Sequence, residues 1–242
     1  MLKKISFLFI IILLVTAILS ASTESFIFKY KFRDGSTLKY LLKQQTKHEN
    51  TEMNFEFMIP FKIVRIDQDN YADIDINVDS IKINGQNTDQ NISASIRISP
   101  TGEIIDSSSS WPGMSFDQIF QFFPKEPIKM KQKWTRNITT RMYEKDLRFA
   151  IRTNFNGFKT HLNKKVAVFI STIVSEEIPM QFGKMKIIGK RIVYFDNNEG
   201  QIIEVKARAQ MVIYTPIKIE AGQVKEYKKN FGPMIRSSFT LK

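Results

Sequence analysis

SWPGMSFDQIFQFFPKEPIKMKQKW, residues 110–134, carries the one helical pattern in a chain that otherwise alternates apolar and polar residues. Ser115 followed by Gln118 reads as a capping box, and Phe116, Ile119, Phe120 and Phe123 recur at i, i+3, i+4 and i+7. That spacing predicts a short amphipathic helix ended by Pro124. The stretch divides the chain into a first half, residues 23–109, and a second half, residues 135–242.

Both halves read as β. Phe26, Phe28, Tyr30 and Phe32 alternate with Lys29, Lys31 and Arg33, the pattern of a half-buried strand, and Asp34-Gly35 turns toward a partner over Thr37–Gln45. The run Glu52–Asp67 is interrupted by Pro60, which signals an edge or a bulge. Ile74, Ile76 and Val78 alternate with Asp73, Asp75, Asn77 and Asp79, and Ile92, Ala94, Ile96 and Ile98 mark a further strand. In the second half Val166–Val174 is apolar on both faces and belongs in mid-sheet. Asn156-Gly157 signals a hairpin or a bulge, Lys184–Phe195 and Ile202–Tyr214 form a hairpin, and Ile235–Leu241 closes the sheet. Gly102 and Gly200 precede similar runs, GEII and GQII, and Asp34–Leu38 aligns with Lys131–Thr135. These matches suggest an internal duplication. The expected fold is mainly β: a curved antiparallel sheet or half-barrel built from two similar halves, with one short central amphipathic helix.

Residues 1–22 have the form of a signal peptide: Lys3 and Lys4, an apolar run over Ile5–Leu19, then Ser20-Ala21-Ser22. The chain has no cysteine, which excludes a lipoprotein anchor, disulfides and thiolate metal sites. A single β domain is expected over residues 23–242, periplasmic or extracellular. The net charge of +12 suits an anionic membrane surface or an acidic polymer, while export argues against nucleic acid.

Catalytic motifs are missing. Asp73, Asp75, Asn77 and Asp79 begin like a calcium loop, but Val78 stands where the turn needs glycine and Asn84 where the bidentate glutamate belongs. A strand sets such side chains in a row instead of around an ion, so pairing with neighbouring Lys or Arg is the better reading. His48 and His161 belong to no triad or ligand spacing, and the Glu176-Glu177 pair is unspecific. Asn91-Ile92-Ser93 and Asn137-Ile138-Thr139 match the glycosylation acceptor pattern.

The leader, the aromatic-basic opening with its Asp34-Gly35 turn, the segment FFPKEPIKMKQKW over 122–134 and the hairpin DNNEGQII over 196–203 resemble a family of uncharacterised secreted bacterial envelope proteins. In that family a Pro-rich segment runs into a Gly-x-x-Trp motif; Trp134 is kept here and the glycine is not. The resemblance implies no catalytic residue. A looser similarity, at the level of the fold, is to the half-barrel of periplasmic lipoprotein carriers and related lipid binders, which implies a concavity for acyl chains.

The sequence reading is therefore a noncatalytic exported envelope protein without a cofactor or metal. Its partner is a lipid or other apolar ligand, an envelope protein or an anionic membrane surface, with Trp111, Phe116, Ile119, Phe120 and Phe123 lining the cavity. An outer-membrane β-barrel and a purely structural or interaction module are the alternatives. The oligomeric state is not read from the sequence.

Overall fold

A strand with one apolar face must bury that face against another element, so a chain made of such strands builds a sheet around a shared core. The structure, a computed structural model, describes residues 24–109, 116, 119–142, 145–181, 183–220 and 223–242. The leader expected over residues 1–22, together with Trp111, Ser115 and Gln118, lies outside the described residues.

The strands of the first half are β1 (Ser25–Phe26), β2 (Thr37–His48), β3 (Thr51–Ile66), β4 (Ala72–Val78), β5 (Ile81–Ile83), β6 (Gln86–Thr88), β7 (Ile92–Ile98) and β8 (Ile104–Ser109). Those of the second are β9 (Ile128–Lys129), β10 (Lys133–Met142), β11 (Lys145–His161), β12 (Lys164–Ser175), β13 (Ile178–Met180), β14 (Gly183–Asp196), β15 (Gln201–Glu220) and β16 (Gln223–Leu241). Among the described residues, 14 strands form one antiparallel sheet, ordered β10-β11-β12-β14-β15-β16-β2-β3-β4-β7-β8 with β5, β6 and β13 on side ladders. β1 pairs only with β9. The end strands β8 and β10 do not pair with each other, so the sheet is not closed into a barrel.

Two meanders, β2-β3-β4-β7-β8 and β10-β11-β12-β14-β15, are joined by β16. Phe239 faces Val205 of β15 on one side and Leu42 of β2 on the other. The expected closing strand thus sits in the middle of the sheet. β12 lies between β11 and β14, as its two apolar faces require: Ala167 and Phe169 belong to the main core, whereas Val166 and Val168 pack with Tyr194 and Ile203 on the opposite face. Asn156-Gly157 is a bulge between Phe155 and Phe158. Pro60 falls between the part of β3 that pairs β4, from Phe61 onward, and the part that pairs β5, at Phe55 and Glu56.

The structure corrects the central helix: the described residues hold essentially no helix. The amides of Ile119 and Phe120 both donate to the Phe116 carbonyl at 2.9 Å, making a single turn. The next helical donor would be the Gln121 N–H, which bonds Tyr30 Oη instead (2.9 Å), and Pro124 has no N–H for the Phe120 carbonyl. The Phe120 carbonyl accepts instead from Arg191 Nη1 (3.3 Å), and the Phe123 amide donates to the Thr101 carbonyl (2.8 Å). The four apolar positions are nevertheless all buried, so the spacing marked core contacts and not a helix. Among the described residues no helix is long and apolar enough to cross a membrane.

Phe26–Arg33 is also not the hairpin partner of β2. Beyond β1 the segment crosses the core, burying Phe28 and Tyr30 and exposing Lys29, Lys31 and Arg33. The Gly35 amide donates to the Ile63 carbonyl, and the Ile63 amide to the Ser36 carbonyl (3.1 and 2.9 Å), so the chain leaving the turn is committed to β3. The crossing segment bonds instead to two turns: Tyr30 N–H to the Pro100 carbonyl (2.8 Å) and Lys31 N–H to the Gly200 carbonyl (3.0 Å).

Both turns need glycine. Gly102 and Gly200 have φ of +82° and +64°, and a Cβ would lie 2.2 Å from the Gln121 carbonyl oxygen at the first and 2.5 Å from the Lys31 nitrogen at the second. Gly200→Ala is expected to cost at least ~2 kcal/mol from strain and collision together. Gly85→Ala, with φ +84° but no atom within 4 Å of the added Cβ, should cost only about 1 kcal/mol of backbone strain. Urea denaturation of the two variants beside the parent protein measures the difference, and equal losses would refute the close approach.

Candidate ligand cavity

Between the register shifts, odd positions of β3, β11, β12, β14, β15 and β16 share one face of the sheet with even positions of β2, β4, β7 and β10. At one end of this face the positions carry aromatic rings. Phe28 packs against Phe123, Phe155, Phe169 and Phe195 with ring centroids 4.9–6.4 Å apart, and Tyr30 adds contacts to Phe120, Phe123 and Phe195. Edge-to-face and tilted geometries dominate, as the ring quadrupole favours.

Farther along the same face the residues become small. Register sets Gly189 opposite Ala209, and Ala207 opposite Ser237. Three neighbouring strands thus present short side chains together, and a cavity of about 650 Å³ lies over them. Its apolar walls include Leu42, Phe57, Ile92, Ile138, Phe149, Ile151, Ile173, Ile187 and Ile235, with Gln44, Gln90 and Asn91 supplying polar groups. Ile92 belongs to β7 and Ile138 to β10, near opposite ends of the strand order.

Arg191 borders this cavity while itself almost fully buried. Its guanidinium donates to the Phe120 carbonyl (3.3 Å) and to Gln121 Oε1 (3.0 Å), tying β14 to the turn after Phe116. The Gln121 amide donates to Tyr30 Oη (2.9 Å), and that hydroxyl donates back to the Gln121 carbonyl (3.3 Å). Tyr40 Oη donates to the Ile202 carbonyl at 3.0 Å. Burial pushes both phenol pKa values far above the ordinary tyrosine value, although the Gln121 hydrogen bond and the nearby Arg191 charge pull Tyr30 partly back.

The five sequence-predicted residues separate. Ile119 borders the cavity, and with Phe120 it also lines a small adjoining pocket of about 20 Å³. Phe116 and Phe123 are buried in the main core, Phe123 completely. Trp111 lies outside the described residues. Sequence reasoning missed the small residues Gly189, Ala207, Ala209 and Ser237 that leave the space. Their signal was a run of short side chains at core-facing parity in strands where Ile and Phe are the rule.

The remaining candidates engage in ordinary pairs. Asp73 accepts from Arg65 (2.9 Å) and Arg97 (3.0 Å), and Arg97 also contacts Asp67. Among the described residues no group of three or more potential ligands could hold a metal. His161 lies 2.9 Å from Glu204 and stacks on Tyr194. Hydrogen bonds from Lys184 and then Lys186 hold the Glu177 carboxyl below its usual range. No family model matches the chain, and none of the curated proteins does.

Both phenols must stay protonated in the folded protein, so their contribution is whole below the unfolded pKa of about 10 and is lost as pH rises above it. The urea midpoint is expected to hold steady up to pH 9 and to fall steeply by pH 11. Tyr40→Phe should cost about 1 kcal/mol at pH 7 through its lost hydrogen bond and should flatten the alkaline decline. A decline of unchanged slope in that variant would assign the effect elsewhere.

Proposed function

We propose that this protein is a noncatalytic, exported envelope protein that holds an apolar ligand, a lipid or acyl chain, in a concavity of its sheet. The observation that carries the reading is the cavity itself: about 650 Å³, walled mainly by aliphatic and aromatic side chains and floored by Gly189, Ala207, Ala209 and Ser237. Ligand sites of this size are commonly apolar with a few polar groups that orient the ligand. A core needing only to be filled would carry larger residues at those positions, because interiors pack to crystal-like density.

In this reading the sheet bends into a half-barrel, since strands near its two ends contribute to one cavity. Local geometry supports two similar halves. Ser36 N–H bonds the Arg33 carbonyl as Gln132 N–H bonds the Lys129 carbonyl, and Gly35 N–H bonds Ile63 as Lys131 N–H bonds Phe155. Gly35 and Lys131 share a positive φ, 69° and 64°. This correspondence runs one residue out of step with the alignment of Asp34 on Lys131. The likeness to secreted envelope proteins, read from the leader and the hairpin motifs, supplies the compartment. A membrane-spanning barrel is less well supported, because such a barrel has to close and β8 and β10 remain unpaired with each other.

The test is native mass spectrometry and lipid extraction on the mature protein, with uptake of a fluorescent fatty acid. Bound lipid and saturable uptake are expected, and Ala207→Phe with Ala209→Phe should lower affinity at least tenfold while leaving the circular dichroism unchanged. Absence of any bound lipid or uptake, or unchanged affinity in the filled variant, would leave an interaction module as the better reading.

A further inference from the structure

The face opposite the cavity carries a second recess with the opposite chemistry. Side chains alternate along a strand, so Lys190 stands on the far side of β14 from Arg191, and Arg208 on the far side of β15 from Ala207 and Ala209. Register sets Lys190 directly opposite Arg208, and Arg208 directly opposite Arg236. Three exposed cations thus stand side by side on neighbouring strands, roughly 4.8 Å apart along the hydrogen-bonding direction. Thr172 separates Lys190 from Arg152, which continues the row. In the adjacent row Lys206 faces Ser238, Ser238 faces Lys43, Lys43 faces Glu56 and Glu56 faces Lys82.

Like charges placed directly opposite on a sheet destabilise it. Elsewhere the chain avoids that cost, since Arg65 and Arg97 share Asp73 and Lys184 and Lys186 share Glu177, and on the same face Lys43 meets Glu56 and Lys206 meets Glu204. Among the described residues Lys190, Arg208 and Arg236 form no ion pair. They frame, with Lys43, Lys82 and Lys206, a recess of about 910 Å³ in which Glu56 is the one lining carboxylate. The repulsion is a cost that the fold alone does not require, and a bound anion would remove it.

We propose that this recess binds a phosphate-bearing anion long enough to span at least two of Lys190, Arg208 and Arg236. Two guanidinium forks match phosphate oxygens in bidentate geometry, and the ammonium adds a point charge. A linear oligophosphate enters such a recess along the cation row. Phospholipid headgroups present the same chemistry from a surface. The site lies on the other face of the sheet and does not depend on the cavity holding lipid.

Sodium tripolyphosphate titrated calorimetrically into the mature protein tests the assignment, with Lys190→Gln/Arg208→Gln/Arg236→Gln as the comparison. Saturable binding that weakens with added salt is expected, with at least a tenfold loss of affinity in the triple variant. In phosphate-free buffer of low ionic strength the variant should melt at the same temperature as the parent or higher, which also establishes that it folds. Equal affinity in the two proteins, or a tripolyphosphate effect on melting that sodium chloride of equal ionic strength reproduces, overturns the proposal. Phosphatidylglycerol vesicles distinguish the sources. Vesicle binding that tripolyphosphate displaces assigns the recess to headgroups as well, whereas vesicle binding without any tripolyphosphate binding overturns the recess in favour of a flat membrane contact. The Ala207→Phe/Ala209→Phe variant should keep full tripolyphosphate affinity, so failure of either site is read separately.

Discussion

The close passage of Tyr30 and Lys31 over Gly102 and Gly200 is the constraint on which the rest of the structure depends. One turn belongs to the first meander and the other to the second, and the crossing segment donates a backbone hydrogen bond to each. With no Cβ on either glycine the backbone comes near enough for Phe28 and Tyr30 to reach the rings contributed by β11, β12 and β14. The segment does the work of an internal strut, and it can do so because its alternation puts aromatic groups inward and cations outward.

Once that end of the apolar face is filled by rings, the opposite end can stay open. Removing core volume ordinarily costs stability in proportion to the void, and the dense aromatic packing beside the cavity offsets such a cost locally. The contrast between Phe155, Phe169 and Phe195 on one side and Gly189, Ala207 and Ala209 on the other is the structural basis for separating core from cavity. It also explains why Phe123, expected from sequence as a ligand contact, is core: it lies at the crowded end against Phe28, Phe169 and Phe195, whereas Ile119 borders the cavity.

Much of the sheet was legible in the sequence because period-two alternation is a local signal. The paired faces of β4 and β7, the mid-sheet position of β12, the bulge at Asn156-Gly157 and the hairpin across Asp196–Gly200 all followed from it. What could not be read were non-local partnerships. Phe26–Arg33 has a perfect strand pattern, yet beyond β1 its partners are two turns distant in sequence, and β16 joins β2 across nearly the whole chain. The helix failed for a related reason. Spacing at i, i+3, i+4 and i+7 reports which side chains are buried, but whether the backbone closes into a helix depends on its hydrogen bonds, and here Thr101, Tyr30 and Arg191 take them. A cavity was expected in the concavity of the sheet, but its place over Gly189, Ala207, Ala209 and Ser237 was invisible, because a void is a property of registered neighbours on three strands and not of any one segment.

Arg191 connects these regions. A buried guanidinium loses several kcal/mol of hydration, and its fork is matched here by the Phe120 carbonyl and the Gln121 side chain. Those two residues belong to the turn that also carries Ile119, and Gln121 is in turn held by Tyr30 of the crossing segment. The chain of contacts therefore runs from the cavity wall, through Arg191 and Gln121, to the strut between the two meanders. A lysine at this position would supply a charge but not the planar pair of donors that reaches both acceptors at once. The turn after Phe116 is thereby tied to β14, and both Ile119 on that turn and Arg191 on that strand form part of the cavity wall.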